Sequence, residues 1–344
     1  MPLTERENFM RNASLEGHEW IPQYVVINGA YWHQMRGELE ALCLRHPALF
    51  PGFKKGQVDF DAWVRAPEER RTVDGWGCTW AWEFDGFCGQ VIGHPLADWE
   101  AMESWRPPSP PEFGEKERRE LQDARARGQV ASYSTEHGFF FMRLYYLRGF
   151  NNFMLDVATL DPRLDRLVGV VASYWERAIR PYLQAGIDLL SAADDLGTQT
   201  ASMLGPRHFR RWLMPTYKRL FLPARRAGAH VFMHHDGYIM DIMDQIIESG
   251  VSIVNPQDLV NGIDDIAREV KGRVCIRIDI DRQKVLPYGS PGDVRELVRE
   301  EVLKLGSPAG GLEMVVGIYP PTPLENVEAL LSALQEHRTY WAGR

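Results

Sequence analysis

Cysteine is scarce in this chain. Only four occur in 344 residues (Cys43, Cys78, Cys88 and Cys275), and none sits in a CxxC pair. That scatter argues against a disulfide framework or a structural zinc knuckle, and fits a reducing cytoplasm. Long apolar runs are missing too. No stretch of about eighteen apolar residues exists, and the N-terminal MPLTERENFMRNASLEG is charged and polar, so neither a membrane anchor nor a signal peptide is expected. Basic charge is in deficit, 39 Lys and Arg against 47 Asp and Glu, for a net −8. Such a surface repels phosphate backbones and disfavours a nucleic-acid partner. The pairs Arg118-Arg119 and Arg225-Arg226 are short, lie in helical patterns of mixed sign, and read as solvated faces. There is no GxGxxG and no GxxxxGK[ST], which weighs against a doubly wound nucleotide-binding sheet.

Apolar and aromatic residues are plentiful. Hydrophobic residues make up 44 %, with 11 Trp, 12 Tyr and 15 Phe, enough for a large core. The length suits a single α/β domain spanning 1–344, a (β/α)₈ TIM barrel with an irregular N-terminal extension. Residues 1–135 would hold the extension and the first barrel units, and 136–344 the regular β/α units. In the first part, 5–15 and 115–128 read as helices and 24–27 as a strand. The Trp76, Trp80 and Trp82 run reads as core or lid packing. From Gly138 onward apolar runs alternate with amphipathic patterns, which implies parallel strands with helical crossovers. The expected strands are 139–146, 187–192, 230–234, 252–256, 274–280 and 312–316. The expected helices are 161–184, 206–227, 239–249, 263–270, 291–305 and 323–335.

The residues that follow these strands carry the functional signal. Asp194-Asp195-Leu-Gly-Thr-Gln199, His234-His235-Asp236-Gly237, Asn255-Pro-Gln257-Asp258 and Asp281-Arg282-Gln283 all fall at strand ends, which in a barrel converge on the catalytic face. Alternation within a strand points His234 and Asp236 one way and His235 the other. In 274–280, Ile276, Ile278 and Ile280 form one face, and Arg277, Asp279 and Asp281 the other. The isoleucines suit the helix layer, so the charged row is expected to line a wet barrel mouth. His235 reads as structural, and either Asp194 or Asp195 as a cap on the turn that follows.

These motifs resemble the uroporphyrinogen decarboxylase superfamily. MHHDGYIMDIMDQIIESGVSIVNP is similar to its HxCG or HSDG strand-turn-helix, and GGLEMVVGIYPPTPLENVEALLSAL to its C-terminal strand and helix. RVCIRIDIDRQKVLPYGSPGDVRELVREEV, DDLGTQ and PRHFRRWLMPTYKRL resemble other stretches, so the likeness runs over roughly residues 74–338. It implies a (β/α)₈ barrel. The superfamily holds decarboxylases and cobamide-dependent methyltransferases. The decarboxylases carry an RQAGRY-like segment whose arginines hold substrate carboxylates; the corresponding region here reads WIPQYVVINGAYW. The methyltransferases that act on thiols hold zinc with a His-x-Cys pair and a second cysteine near the last strand. The matching positions here are His234-His235-Asp236, with Glu313 and no cysteine near the last strand, a harder oxygen and nitrogen donor set.

The resemblance therefore implies a corrinoid (cobalamin)-dependent methyltransferase that acts on a small O-methyl substrate, with the corrinoid on a separate partner protein. His234 and Asp236, with Glu313, would bind zinc or another divalent metal, or polarise the substrate oxygen directly. Asp195, Asp279 or Asp281 would be the general acid, and Gln199, Asn255, Gln257, Arg277, Arg143 and Tyr319 would bind substrate. Two alternatives stay open. One is a carboxy-lyase that clamps a polycarboxylate with Arg277, Arg143 and Arg282. The other is a non-catalytic tetrapyrrole- or corrinoid-binding protein. A homodimer is also left open.

Overall fold

The computed structural model describes residues 2–343. The chain divides into two compact units. The first takes the residues up to Met10, Arg71–Ala81 and Gln90–Pro256; the second takes Arg11–Arg70, Trp82–Gly89 and everything from Gln257 on. Among the described residues the strands are β1 (Gln23–Ile27), β2 (Arg71–Val73), β3 (Thr79–Ala81), β4 (Gln90–Gly93), β5 (Ser132–Ser134), β6 (Leu189–Ala193), β7 (His230–His234), β8 (Ile253–Asn255), β9 (Cys275–Asp279) and β10 (Leu312–Ile318).

In the first unit β5, β6, β7 and β8 run parallel in that order. Leu189 pairs with His230 and His234 with Asn255, so the ends of β6, β7 and β8 lie level. The short β2, β3 and β4 form a separate antiparallel sheet. In the second unit β10 lies between β1 and β9, again all parallel. Strands β8 and β10 are buried on nearly every residue, the pattern of parallel strands covered on both faces. Helices follow the strands, which places the fold in the α/β class of (β/α)-barrel type, as the sequence pattern implies. No helix among the described residues is long and apolar enough to cross a membrane.

Local chemistry explains the helices. Arg163–Gln184 buries Leu164, Leu167, Val171, Tyr174, Trp175, Ala178 and Ile179, a stripe three or four residues apart. Pro291–Leu305 starts at a reciprocal cap: the Ser290 hydroxyl accepts from the Asp293 amide, and the Asp293 carboxylate accepts from the Ser290 amide. The single helix expected over 206–227 is broken into Pro206–Trp212 and Met214–Arg226. Pro215 has no N–H to continue the ladder and sits instead in the first turn of the second piece.

One expected strand is a helix. The apolar run 139–146 reads as extended in the sequence, but Phe141–Arg148 is helical. Its face is buried nearly all round, which removes the periodicity that separates a buried helix from a buried strand. What fixes the helix comes from elsewhere in the chain. The carboxylate of Asp194, at the end of β6, accepts from the amides of Phe140, Phe141 and Met142. It therefore caps an earlier helix rather than the turn that follows it.

Candidate active site

At the level ends of β6 and β7, three donors converge. One atom each of Asp195, His234 and Asp236 can be chosen so that all three lie within 4.8 Å of one another. His234 Nε2 is 3.5 Å from Asp236 Oδ1 and 3.9 Å from Asp195 Oδ1. The other ring nitrogen, Nδ1, lies 2.5 Å from Asn255 Oδ1. An amide oxygen can only accept, so it requires a proton on Nδ1 and turns Nε2 towards the carboxylates. Nε2 beside two carboxylates needs a cation or a proton between them.

Asp195 is a carboxylate under opposing pulls. Burial pushes its pKa up, and the charge of Asp236 pushes the same way, while His234 and His137 pull it down. Its Oδ1 is buried with no hydrogen-bond donor in reach. An orphaned buried oxygen, an imidazole nitrogen and a second carboxylate form a donor set that fits a divalent ion of borderline or hard character.

The backbone is built for this approach. Gly237 has φ +81°, and a Cβ there would fall 2.4 Å from the carbonyl carbon of Gly197. Gly197 meets Gly237 and Tyr238 equally closely. The two loops bond through Gly197 N to Asp236 O and Tyr238 N to Thr198 O. Only glycines let them touch. Behind the site His235 is fully buried. Its Nδ1 lies 3.0 Å from the Asp194 carbonyl, and burial lowers its pKa to about 3, so it is a neutral structural tie between β6 and β7.

Asp194 is a structural group. Besides three amides it accepts from the Tyr217 hydroxyl. Burial raises its pKa to about 7 against the pull of these four donors. The helix it caps carries Tyr145 and Tyr146, whose phenols are held well above their usual range by burial and by the charge of Asp195; Tyr146 raises Tyr145 further, while its hydrogen bond with Tyr145 pulls Tyr146 partly back. The sequence reading missed these tyrosines and His137. The signal available was the Tyr145-Tyr146 pair inside an apolar run, but only the helical period sets which way it faces.

The remaining residues singled out from the sequence are placed as follows. Asn255 orients His234. Gln199 is exposed on the turn after β6. Arg143 is buried, paired with Asp74 and Glu136 and packed over the rings of Trp76 and Tyr146, so it serves the core. In the second unit, Glu313 is fully buried and accepts from Arg277 Nε at 2.6 Å. The group that gathers around His234 and Asp236 thus takes Asp195 as its third member, not Glu313. Burial works against the charge on Arg277, and Glu313 sustains it. Asp279 pairs with Arg282 and bridges to Gln257. Arg282 lies over the ring of Tyr319, 5.8 Å from its centre. Asp281 accepts from the amides of Gln283, Lys284 and Val285. Its carboxylate caps a turn, and with Arg277 held by Glu313 and Asp279 by Arg282 the charged row 277, 279 and 281 is paired within the chain rather than lining a wet opening.

Three comparisons bear on this chain. The uroporphyrinogen decarboxylase (URO-D) family profile matches residues 140–337. Two curated uroporphyrinogen decarboxylases, from two strains of Thermus thermophilus, are each 27% identical over 177 residues. That match covers 50% of this chain and 48% of each relative, so the chain spans about half the length of the curated relatives it matches. Among solved structures, a methyltransferase from Methanosarcina mazei superposes with a TM-score of 0.62 at 16% identity. It covers 97% of this chain and 99% of its own, a likeness of fold. The family match runs from the helix capped by Asp194, through β6 and β7 with their glycine-linked ends, to the last helix, and the chain belongs to the uroporphyrinogen decarboxylase (URO-D) family.

Proposed function

We propose that this chain is a metal-assisted methyltransferase that removes a methyl group from an oxygen of a small molecule, with a corrinoid on a separate protein as acceptor. The observation that carries the reading is the convergence of Asp195, His234 and Asp236 at one point. A divalent ion such as zinc held there would supply a Lewis acid for the oxygen that loses its methyl group. This chain's residues do the rest. Asn255 fixes the His234 tautomer so that Nε2 is the donor. Asp236 supplies negative charge at the rim. Asp195 is the third ligand or the group that returns a proton to the leaving oxygen, and its unpartnered Oδ1 is the atom that serves. Tyr145 and Tyr146 stay protonated beside Asp195, as hydrogen-bond donors.

A carboxy-lyase would need arginines available to clamp carboxylates. Arg143, Arg277 and Arg282 are each engaged by carboxylates of this chain, which favours the methyl-transfer reading. The test mixes the chain with a reduced corrinoid protein and a panel of methoxylated compounds. Demethylated product that requires the chain, the corrinoid protein and an intact His234 is the expected result. Carbon dioxide released from a polycarboxylate without corrinoid would favour the lyase, and no product from any compound would count heavily against methyl transfer.

A further inference from the structure

A second cluster of acids lies in the other unit, away in sequence from the metal-type group. Glu301, on the helix Pro291–Leu305, is completely buried. No donor reaches either of its carboxylate oxygens. Its side-chain partner is the carboxyl of Asp258, itself 1 % exposed, and the other charged groups that face it are Asp279 and Glu300, both acids. Asp258 faces Glu301 and Asp281. Two carboxyl groups in contact form a hydrogen bond only if one carries a proton, and two buried charges so close are prohibitive without a cation. The arrangement is not a metal site: the one group of such side chains with ligand spacing among the described residues is Asp195, His234 and Asp236. Nor is it a substrate site, because the adjoining cavity beside Asp258, Asp279 and Asp281 is about 10 Å³, room for one water at most.

Asp258 connects this pair to the end of β9. Its Oδ2 accepts from the amide of Asp281 at 2.9 Å, and Asp281 in turn caps the amides of Gln283, Lys284 and Val285. That turn carries Arg282, whose guanidinium holds Asp279. We propose that Glu301 keeps its proton and, by donating it to Asp258, fastens the 281–285 turn on which Asp279 and Arg282 are presented. Glu301 is then a positioning residue, and the proton is the fastener. Burial raises both carboxyls, Asp258 to about 7 and Glu301 well above its usual range, so the pair retains at least one proton at neutral pH. When the proton is lost, two negative charges face each other beside Asp279 and Asp281, and the turn is released. This inference does not depend on the methyl-transfer reading.

The test is hydrogen exchange of the peptide covering 279–288 in the intact chain, expressed as protection after correction for intrinsic rate, from neutral to alkaline pH. Wild type should lose protection there by about tenfold per pH unit once the pair's proton begins to leave, with distant peptides unchanged. Glu301→Gln keeps a neutral donor for Asp258 at every pH and should hold protection flat. Glu301→Ala should show low protection throughout; if it does not fold, wild type against Glu301→Gln decides alone. Infrared difference spectra on raising the pH should show loss of a protonated-carboxyl band in wild type that Glu301→Gln lacks. A flat wild-type profile, or the same pH dependence in Glu301→Gln, would overturn the proposal.

Discussion

Replacing Asp194 by alanine removes a fully buried side chain outside the Asp195, His234 and Asp236 group, yet it should damage both stability and the site. The carboxylate is fully buried and satisfies four donors: the amides of Phe140, Phe141 and Met142, and the Tyr217 hydroxyl. Each buried donor left without a partner costs about 1–3 kcal/mol. Four of them would sum to more than ten at the upper end, but shared relaxation makes such losses sub-additive, and a loss of about 4–5 kcal/mol is the working figure. Tyr217→Phe deletes one donor of the four and should cost about 1–2 kcal/mol. The loss should reach the site, because Asp194 is joined to Asp195 in sequence and pins the helix that carries Tyr145 and Tyr146. Urea unfolding of the two variants beside wild type measures the first effect, and affinity for added Zn²⁺ the second. If Asp194→Ala unfolds within about 1 kcal/mol of wild type and binds metal equally well, the capping argument is wrong.

Gly237→Ala should lose roughly 2–5 kcal/mol and weaken metal binding, since it combines left-handed backbone with a Cβ driven against Gly197; circular dichroism during denaturation measures this. Glu313→Ala strips the buried Arg277 guanidinium of its counter-charge and should cost about 3–5 kcal/mol by the same assay, while metal content at His234 stays unchanged. His230 gives a pH effect of defined sign. Burial, then Arg225, lowers its pKa to about 4, against about 6.5 when unfolded, so below pH 6.5 the unfolded chain takes up the proton first. Its contribution is fully present above that value and is lost as pH falls towards 4, up to about 3 kcal/mol. Unfolding free energies of wild type and His230→Asn from pH 4 to 7 should differ by that slope.

The strands whose ends carry chemistry were legible because parallel, doubly buried strands leave runs such as Ile253-Val-Asn255 and Leu312–Ile318 bounded by helix signals. Alternation alone put His234 and Asp236 on one side and His235 on the other. What escaped was set by partners distant in the chain. Phe141–Arg148 is helical because of a carboxylate some fifty residues later, which no local period reveals. Asp195 joined the metal-type group, and Glu313 did not, for a similar reason. Which carboxylate completes the set depends on how closely the Gly197 and Gly237 loops approach, whereas Glu313 was claimed by Arg277 on the neighbouring strand. Asp281 looked like a rim acid, but three successive amides after it made it a cap.

Metal content tests the central claim most directly. Protein purified without chelator, or dialysed against Zn²⁺ and then against metal-free buffer, is analysed beside His234→Ala. About one ion per chain is expected in wild type and almost none in the variant. Wild type without bound ion after zinc loading, or His234→Ala retaining it in full, would contradict the account.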